Sequence, residues 1–180
     1  MQLQNLSYNS PLGKLLLVAN DHSLIGLWYE KQMYKEKMMP KEMKETDNHP
    51  ILKTATYWLD DYFAGEKSDS SNLPLNPEGG SFRKLVWSII SEIPYGKVQT
   101  YGEIAKEVAK RLGKETMSAQ AVGGAVGHNP LCIIIPCHRV VGSNGSLTGY
   151  SGGIDKKIIL LEHEGVELSK YIIPQTGTRK

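Results

Sequence analysis

Apolar and polar positions alternate along the first thirty residues. Residues 3–9 (LQNLSYN) and 14–19 (KLLLVA) read as strands joined by the turn-forming Ser10-Pro11-Leu12-Gly13, and Leu24-Ile25-Gly26-Leu27-Trp28-Tyr29 reads as a third. Together they predict an antiparallel meander. Residues 31–49 are rich in Lys, Glu and Met without clear period, which predicts an exposed loop or weak helix. After His49-Pro50 the period changes to that of a helix: Ile51, Thr54/Ala55, Trp58/Leu59 and Tyr62 share one face, and Gly65 ends it. Residues 66–80 (EKSDSSNLPLNPEGG) hold the densest cluster of Ser, Asn, Pro and Gly. A boundary placed there divides the chain into an N-terminal α/β unit (1–77) and a second part (78–180).

The second part reads as mostly helical. Ser81 is placed as the cap of a helix running to about Glu92, burying Phe82, Leu85, Val86, Ile89 and Ile90. Thr100 followed by Glu103 is a capping box for a helix through about Arg111. A glycine-containing loop leads to a short helix, Ser118 to about Gly127, so that the pair resembles a helix-turn-helix. Three glycines in that short helix cost stability, and something must approach it closely. Composition alone favours tight packing against another helix over entry into a nucleic-acid groove. Ile133-Ile134-Ile135 reads as a short buried strand ended by Pro136. Gly142-Ser143-Asn144-Gly145 is a hairpin-type turn, 147–153 a glycine-rich loop, and Ile154–Glu164 a last helix stopped by Gly165. The tail from Glu167 is polar and expected to fray. The fold class expected is therefore α+β.

Composition narrows the function. The chain has 180 residues, 40% hydrophobic and 22% charged, as a globular protein does. No apolar run reaches membrane length and the start lacks a signal-peptide pattern, so the expected location is the cytoplasm. Residues 1–77 carry 8 Lys/Arg against 10 Asp/Glu, and residues 78–180 carry 13 against 9. A basic second half is compatible with a polyanionic partner, although a neutral solvated surface explains it nearly as well. The two cysteines, Cys132 and Cys137, make neither a disulfide framework nor a zinc-ligand set. His22, His49 and His128 show no ligand spacing and fit surface or loop positions.

Cys137-His138 follows an apolar run and a proline, giving a thiol a rigid mount and a proton acceptor beside it. Taken alone, the pair fits packing and chemistry equally. The surrounding residues are more specific. GHNPLCIIIPCHRVVGSNGSLTGYSGG followed by LLEHEG, with RKLVWSIISEIPYGKVQTYGEIA upstream, closely resembles the O6-alkylguanine-DNA alkyltransferases over residues 80–166.

That resemblance implies an N-terminal scaffold and a C-terminal winged helix-turn-helix that binds alkylated double-stranded DNA through the minor groove, as a monomer and without a cofactor or metal. It implies that the target nucleotide is flipped out of the stack. Cys137 would be the acceptor nucleophile, used once. His138 would be its base, acting through a water and oriented by Glu164, with His163 structural. Tyr101 would rotate the phosphate and pass a proton toward the leaving guanine. Asn129 would brace the turn before the acceptor, and Val140, Tyr150 and Ser151 would line the base pocket. Ser118, Ala119, Gln120, Ala121, Gly123 and Gly127, with Tyr101, would meet DNA. Gln120 departs from the arginine often found at its position; it brings no charge, which implies weaker DNA affinity or a larger share for Tyr101 and the basic residues of 106–114. The activity implied is direct reversal of O6-alkylguanine; whether O4-methylthymine and larger alkyl groups are also substrates depends on pocket volume. The alternative is a non-catalytic sensor or regulator that binds alkylated DNA.

Overall fold

The computed structural model describes residues 2–175. The N-terminal meander forms as expected: β1 (Gln4–Ser10), β2 (Gly13–Ala19) and β3 (Leu24–Tyr29) pair antiparallel. Gly13 closes the first hairpin at φ 100°, a conformation that glycine adopts without a Cβ penalty. The segment after β3 holds one turn of helix, α1 (Lys35–Met38), and a two-residue strand, β4 (Lys44–Glu45), which pairs parallel to β1 at the sheet edge. The sheet order is β3-β2-β1-β4. Helix α2 (Pro50–Phe63) carries Pro at its first position, where a missing N–H costs nothing, and buries Leu52, Ala55, Leu59 and Tyr62.

The Ser/Asn/Pro/Gly segment does more than link two parts. Leu24 N–H donates to Pro74 C=O, Asn76 N–H donates to Leu24 C=O, and Leu73 is buried. One apolar core then runs from Leu15, Leu17 and Leu27 of the sheet to Ile104, Val122, Leu131 and Leu160 of the second part.

Helix α3 (Ser81–Ser91) starts one residue earlier than expected. Gly80 is the cap, extended at ψ 162°, and Ser81 is the first helical residue with no capping side-chain bond. β5 (Gln99–Thr100) leads into α4 (Tyr101–Arg111), whose capping box is complete: Thr100 Oγ1 accepts from Glu103 N–H, and Glu103 Oε2 accepts from Thr100 N–H. Ser118 caps α5 (Ala119–Gly127) by accepting from Ala121 N–H. Beyond it lie a 3-10 turn (Cys137–Arg139), β6 (Val140–Val141), which pairs parallel to β5, and α6 (Ile154–His163).

Three further expectations are corrected. Ile133–Ile135 is not a strand. Leu131 bridges Leu27, after which the backbone coils: Ile134 N–H bonds Cys132 C=O, Ile135 N–H bonds Leu131 C=O, and Ile133 takes φ 70°. A β-branched residue in that region is strained, and here burial on every side and the Asn129 side chain hold it. The tail is also ordered as far as 175. A 3-10 turn (Leu168–Lys170) is followed by Ile172, which accepts from Leu147 N–H and donates to Gly145 C=O. The remainder of the tail, 176–180, lies outside the described residues. His49 is buried at the N-cap of α2 rather than on the surface.

Candidate active site and nucleic-acid interface

Asn129 organises the site. It follows α5, is fully buried, and uses both ends of its amide. Oδ1 accepts from Leu131 N–H at 2.9 Å, while Nδ2 donates to Ile135 C=O at 2.8 Å and lies 3.1 Å from Cys137 Sγ. One side chain thus shapes the coil after the helix and points a donor at the thiol. Asn129→Ala leaves the buried Leu131 N–H unpaired, at roughly 1–3 kcal/mol, and takes from Ile135 C=O one of its two donors, Cys137 N–H remaining. Urea unfolding is expected to show the midpoint falling accordingly with an unchanged slope.

Cys137 is 2% exposed. Burial pushes its thiol above the ordinary value; the Asn129 amide and the Lys157 charge pull the other way. His138, next in sequence, is fully buried, and its Nε2 lies 2.7 Å from Glu164 Oε1. The contact has ion-pair geometry, yet burial holds the imidazole below its ordinary value despite the pull of Glu164. The neutral ring is the consistent state, because Arg139 supplies the positive charge: its Nε donates to Glu164 Oε2 at 2.8 Å and its Nη2 to Oε1 at 2.9 Å. A carboxylate only accepts, so Nε2 carries the proton and Nδ1 has the free lone pair. Nδ1 is buried and has no hydrogen-bond partner among the described residues.

Glu164 collects two further donors, Tyr62 O–H at 2.8 Å and Gly96 N–H at 3.2 Å. Burial alone would raise its carboxyl; the bonds from His138 and Arg139 outweigh that and hold it well below the usual carboxylate range. His163 bonds Tyr62 C=O through Nε2.

Lys157 lies on the same face of α6 as Leu160 and Leu161 and is fully buried. Its Nζ donates to Val140 C=O and, at 3.0 Å, to Thr148 C=O. Burial pushes it down to about 8, and the nearby Cys137 thiolate form opposes this.

Two concave surfaces meet here. A cleft of about 340 Å³ lies between the glycine face of α5 and the 149–151 loop, with Met33, Tyr34, His128 and Ile154 completing it. A broader groove of about 820 Å³ brings together Tyr101, Ala119, Gln120, Gly123, Ser143 and Thr148. Ser118 and Ala121 are exposed beside it but do not line it, and Gly127 lines the inner cleft. Tyr101 packs so close to Gly149 that a Cβ there would come within 2.7 Å of its hydroxyl. Burial pushes the Tyr101 phenol up to about 12. Gly124 and Gly127 face open space: outside the helix's own backbone, no atom of the described residues lies within 4 Å of where a Cβ would stand. Helix packing explains Val122, Ala125 and Val126, which are buried, but not these two glycines. Tyr150 and Ser151 line the cleft; Val140 is buried and does not line it, and Cys132 is buried as well.

Lys157, Arg139 and Tyr62 were not among the expected site residues. Lys157 had a signal: a lysine at the buried phase of an apolar helix face. Tyr62, more than a hundred residues away in sequence, had none.

Fold and site together define a class, a two-part α+β protein whose buried cysteine–histidine–glutamate chain lies under a glycine-faced helix. The family follows from comparison. Residues 81–166 match the 6-O-methylguanine DNA methyltransferase DNA binding domain, and residues 6–77 match the ribonuclease-like domain of the same family. A methylated-DNA–protein-cysteine methyltransferase of Haemophilus influenzae is 40% identical over 159 residues, covering 88% of this chain and 84% of the relative. One of Methanosarcina acetivorans is 42% identical over 158 residues, covering 88% and 96%. The crystal structure of Mycobacterium tuberculosis OGT in complex with DNA superposes with a TM-score of 0.78 at 35% identity, covering 95% of each chain. The chain belongs to the 6-O-methylguanine DNA methyltransferase family.

Proposed function

We propose that this protein repairs DNA by direct reversal, binding double-stranded DNA that contains O6-alkylguanine and moving the alkyl group irreversibly onto Cys137. The observation that carries it is the buried Cys137 beside a neutral His138 whose free nitrogen has no partner among the described residues and whose other nitrogen is fixed by Glu164.

An alkyl group on O6 is shielded inside the duplex, so the nucleotide must leave the stack, at a cost of a few kcal/mol. The glycine face of α5 lets the minor-groove backbone approach closely, and Tyr101, at the junction of groove and cleft, guides the nucleotide inward. His138 Nδ1 draws the thiol proton through a bridging water. The thiolate attacks the alkyl carbon, the C–O6 bond breaks with its electron pair remaining on guanine, and Tyr101 passes a proton toward the departing base. Ser151 reads O6. The product is a thioether, a poor leaving group, so each chain acts once; the same reading has it act as a monomer in the cytoplasm. The division at 77/78 into scaffold and acceptor parts belongs to the same proposal.

A duplex containing one O6-methylguanine, labelled in the methyl group, tests this. Label is expected on the protein at no more than one per chain. Label released repeatedly as a small product refutes it.

Gln120 is exposed in the broad groove and carries no charge. Gln120→Arg is expected to tighten duplex binding and to steepen the salt dependence by about one counterion. Titrations at several salt concentrations check it, and an unchanged slope argues against Gln120 facing DNA.

A further inference from the structure

The N-terminal part reaches into the cleft. Past the end of β3, Gln32 turns the chain by accepting Tyr29 N–H on its Oε1 at 3.1 Å. Met33 N–H then donates to Ser151 C=O at 3.1 Å. Tyr34 takes the left-handed φ of 63°, uncommon for a bulky residue, and its ring stacks on His128 with centroids 4.5 Å apart and planes 14° off parallel. Behind them the Tyr29 hydroxyl meets the Tyr150 hydroxyl at 2.9 Å, and Gly152 leaves the space: a Cβ there would lie 2.6 Å from the Tyr29 ring. The cleft therefore has a third wall, built from the part otherwise assigned to scaffolding. Met33 and Tyr34 are the side chains this wall adds to Tyr150 and Ile154, and they remain 59% and 41% exposed. A strained tyrosine locked over a cleft by stacking signals a constraint beyond packing.

We propose that Met33 and Tyr34 set the size of O6 substituent the protein accepts, their side chains receiving the distal carbons of an alkyl group longer than methyl; the proposal rests on the alkyl-transfer function above. Only the carbon bonded to O6 reacts: the Cys137 Sγ–C bond forms, the C–O6 bond breaks, and its electron pair stays on guanine. The rest of a longer substituent has to be housed within the cleft. Methylene groups suit an apolar wall, and discrimination of one methylene in such a pocket runs from about 10- to 200-fold.

The test uses the full chain and duplexes carrying either O6-methylguanine or O6-butylguanine, and reads the ratio of butyl to methyl transfer rates under single turnover. Met33→Trp fills the wall without touching the core and is expected to lower the ratio by about tenfold. Tyr34→Gly opens the wall at a φ that suits glycine and is expected to raise the ratio by a similar factor. Both shifts together support the assignment. A ratio unmoved or reversed in either variant overturns it, as does a wild-type chain that accepts methyl but not butyl. A wild-type chain that accepts neither removes the alkyl-transfer function itself, so the two failures are distinguishable.

Discussion

Cys137→Ser is expected to abolish transfer of label from a methylated duplex while the variant still folds and binds DNA. The substitution removes one polarisable atom from a site that is 2% exposed, and the serine hydroxyl can accept from Asn129 Nδ2, which lies 3.1 Å from the present sulfur. Packing therefore survives. The chemistry does not: a neutral imidazole can draw a proton from a thiol, but serine is a far weaker acid and a poor nucleophile at a saturated carbon. Loss of a nucleophile from a site that acts as a unit costs on the order of a millionfold. The surface proposed to bind DNA, α5 and its groove, does not include the thiol. Cys132 is the internal control. Burial, then the Cys137 charge, pushes its thiol well above the ordinary value, and no side-chain donor relieves it as Asn129 and Lys157 relieve Cys137. Mass mapping of the wild-type product is expected to find the methyl group on the peptide containing Cys137, at that residue. Methyl on Cys132, or transfer that persists in Cys137→Ser, sinks the assignment.

The sequence pattern located the meander and the helices because each is governed by local period and end signals. Thr100 and Glu103 sit three apart and cap each other, so their helix start was legible to the residue. Ser81 was misplaced because the chain before it is extended at Gly80, which takes the cap position itself. β4 was invisible, being two charged residues with no period to read. The isoleucine run failed for a tertiary reason. β propensity asks for an extended backbone, but Asn129 binds both Leu131 and Ile135 and coils the segment between them. Cys137 and His138 stand out as neighbours, whereas their link to Glu164 entered only by resemblance to a family. The donors from Tyr62, Gly96 and Arg139 exist only once α2, the turn before β5 and α6 have packed together. Site residues that act through other residues leave little trace in local pattern.

Glu164→Gln is the second large effect, and it separates orientation from mere support. Five hydrogen bonds converge on the two carboxylate oxygens: from His138 Nε2, Tyr62 O–H, Arg139 Nε, Arg139 Nη2 and Gly96 N–H. A glutamine amide, whichever way it turns, places its own N–H₂ against donors and leaves the Arg139 charge without a counterion. Breaking a buried pair in this way costs roughly 3–5 kcal/mol. His138 loses the acceptor that keeps its proton on Nε2; with the proton on Nδ1 it cannot act as base, and transfer is expected to slow on the order of a thousandfold or more. The pH dependence follows from sign. Wild-type His138 is held neutral below the ordinary value of about 6.5, so the folded chain binds fewer protons than the unfolded one as pH falls past that value. Its contribution to stability is present above about 6.5 and is lost progressively below it. Glu164, also depressed, contributes above the ordinary carboxylate value of about 4.3 and loses its contribution as pH falls through its own folded value. The Glu164 contribution to the stability gap between wild type and Glu164→Gln should therefore be full above about 4.3 and shrink as pH falls below it. The transfer rate supplies the readout that stability alone does not move. Its acid limb reports His138, and removing the carboxylate that pulls His138 upward shifts that limb to lower pH. A limb that stays in place while the rate drops means that Glu164 only supports the fold.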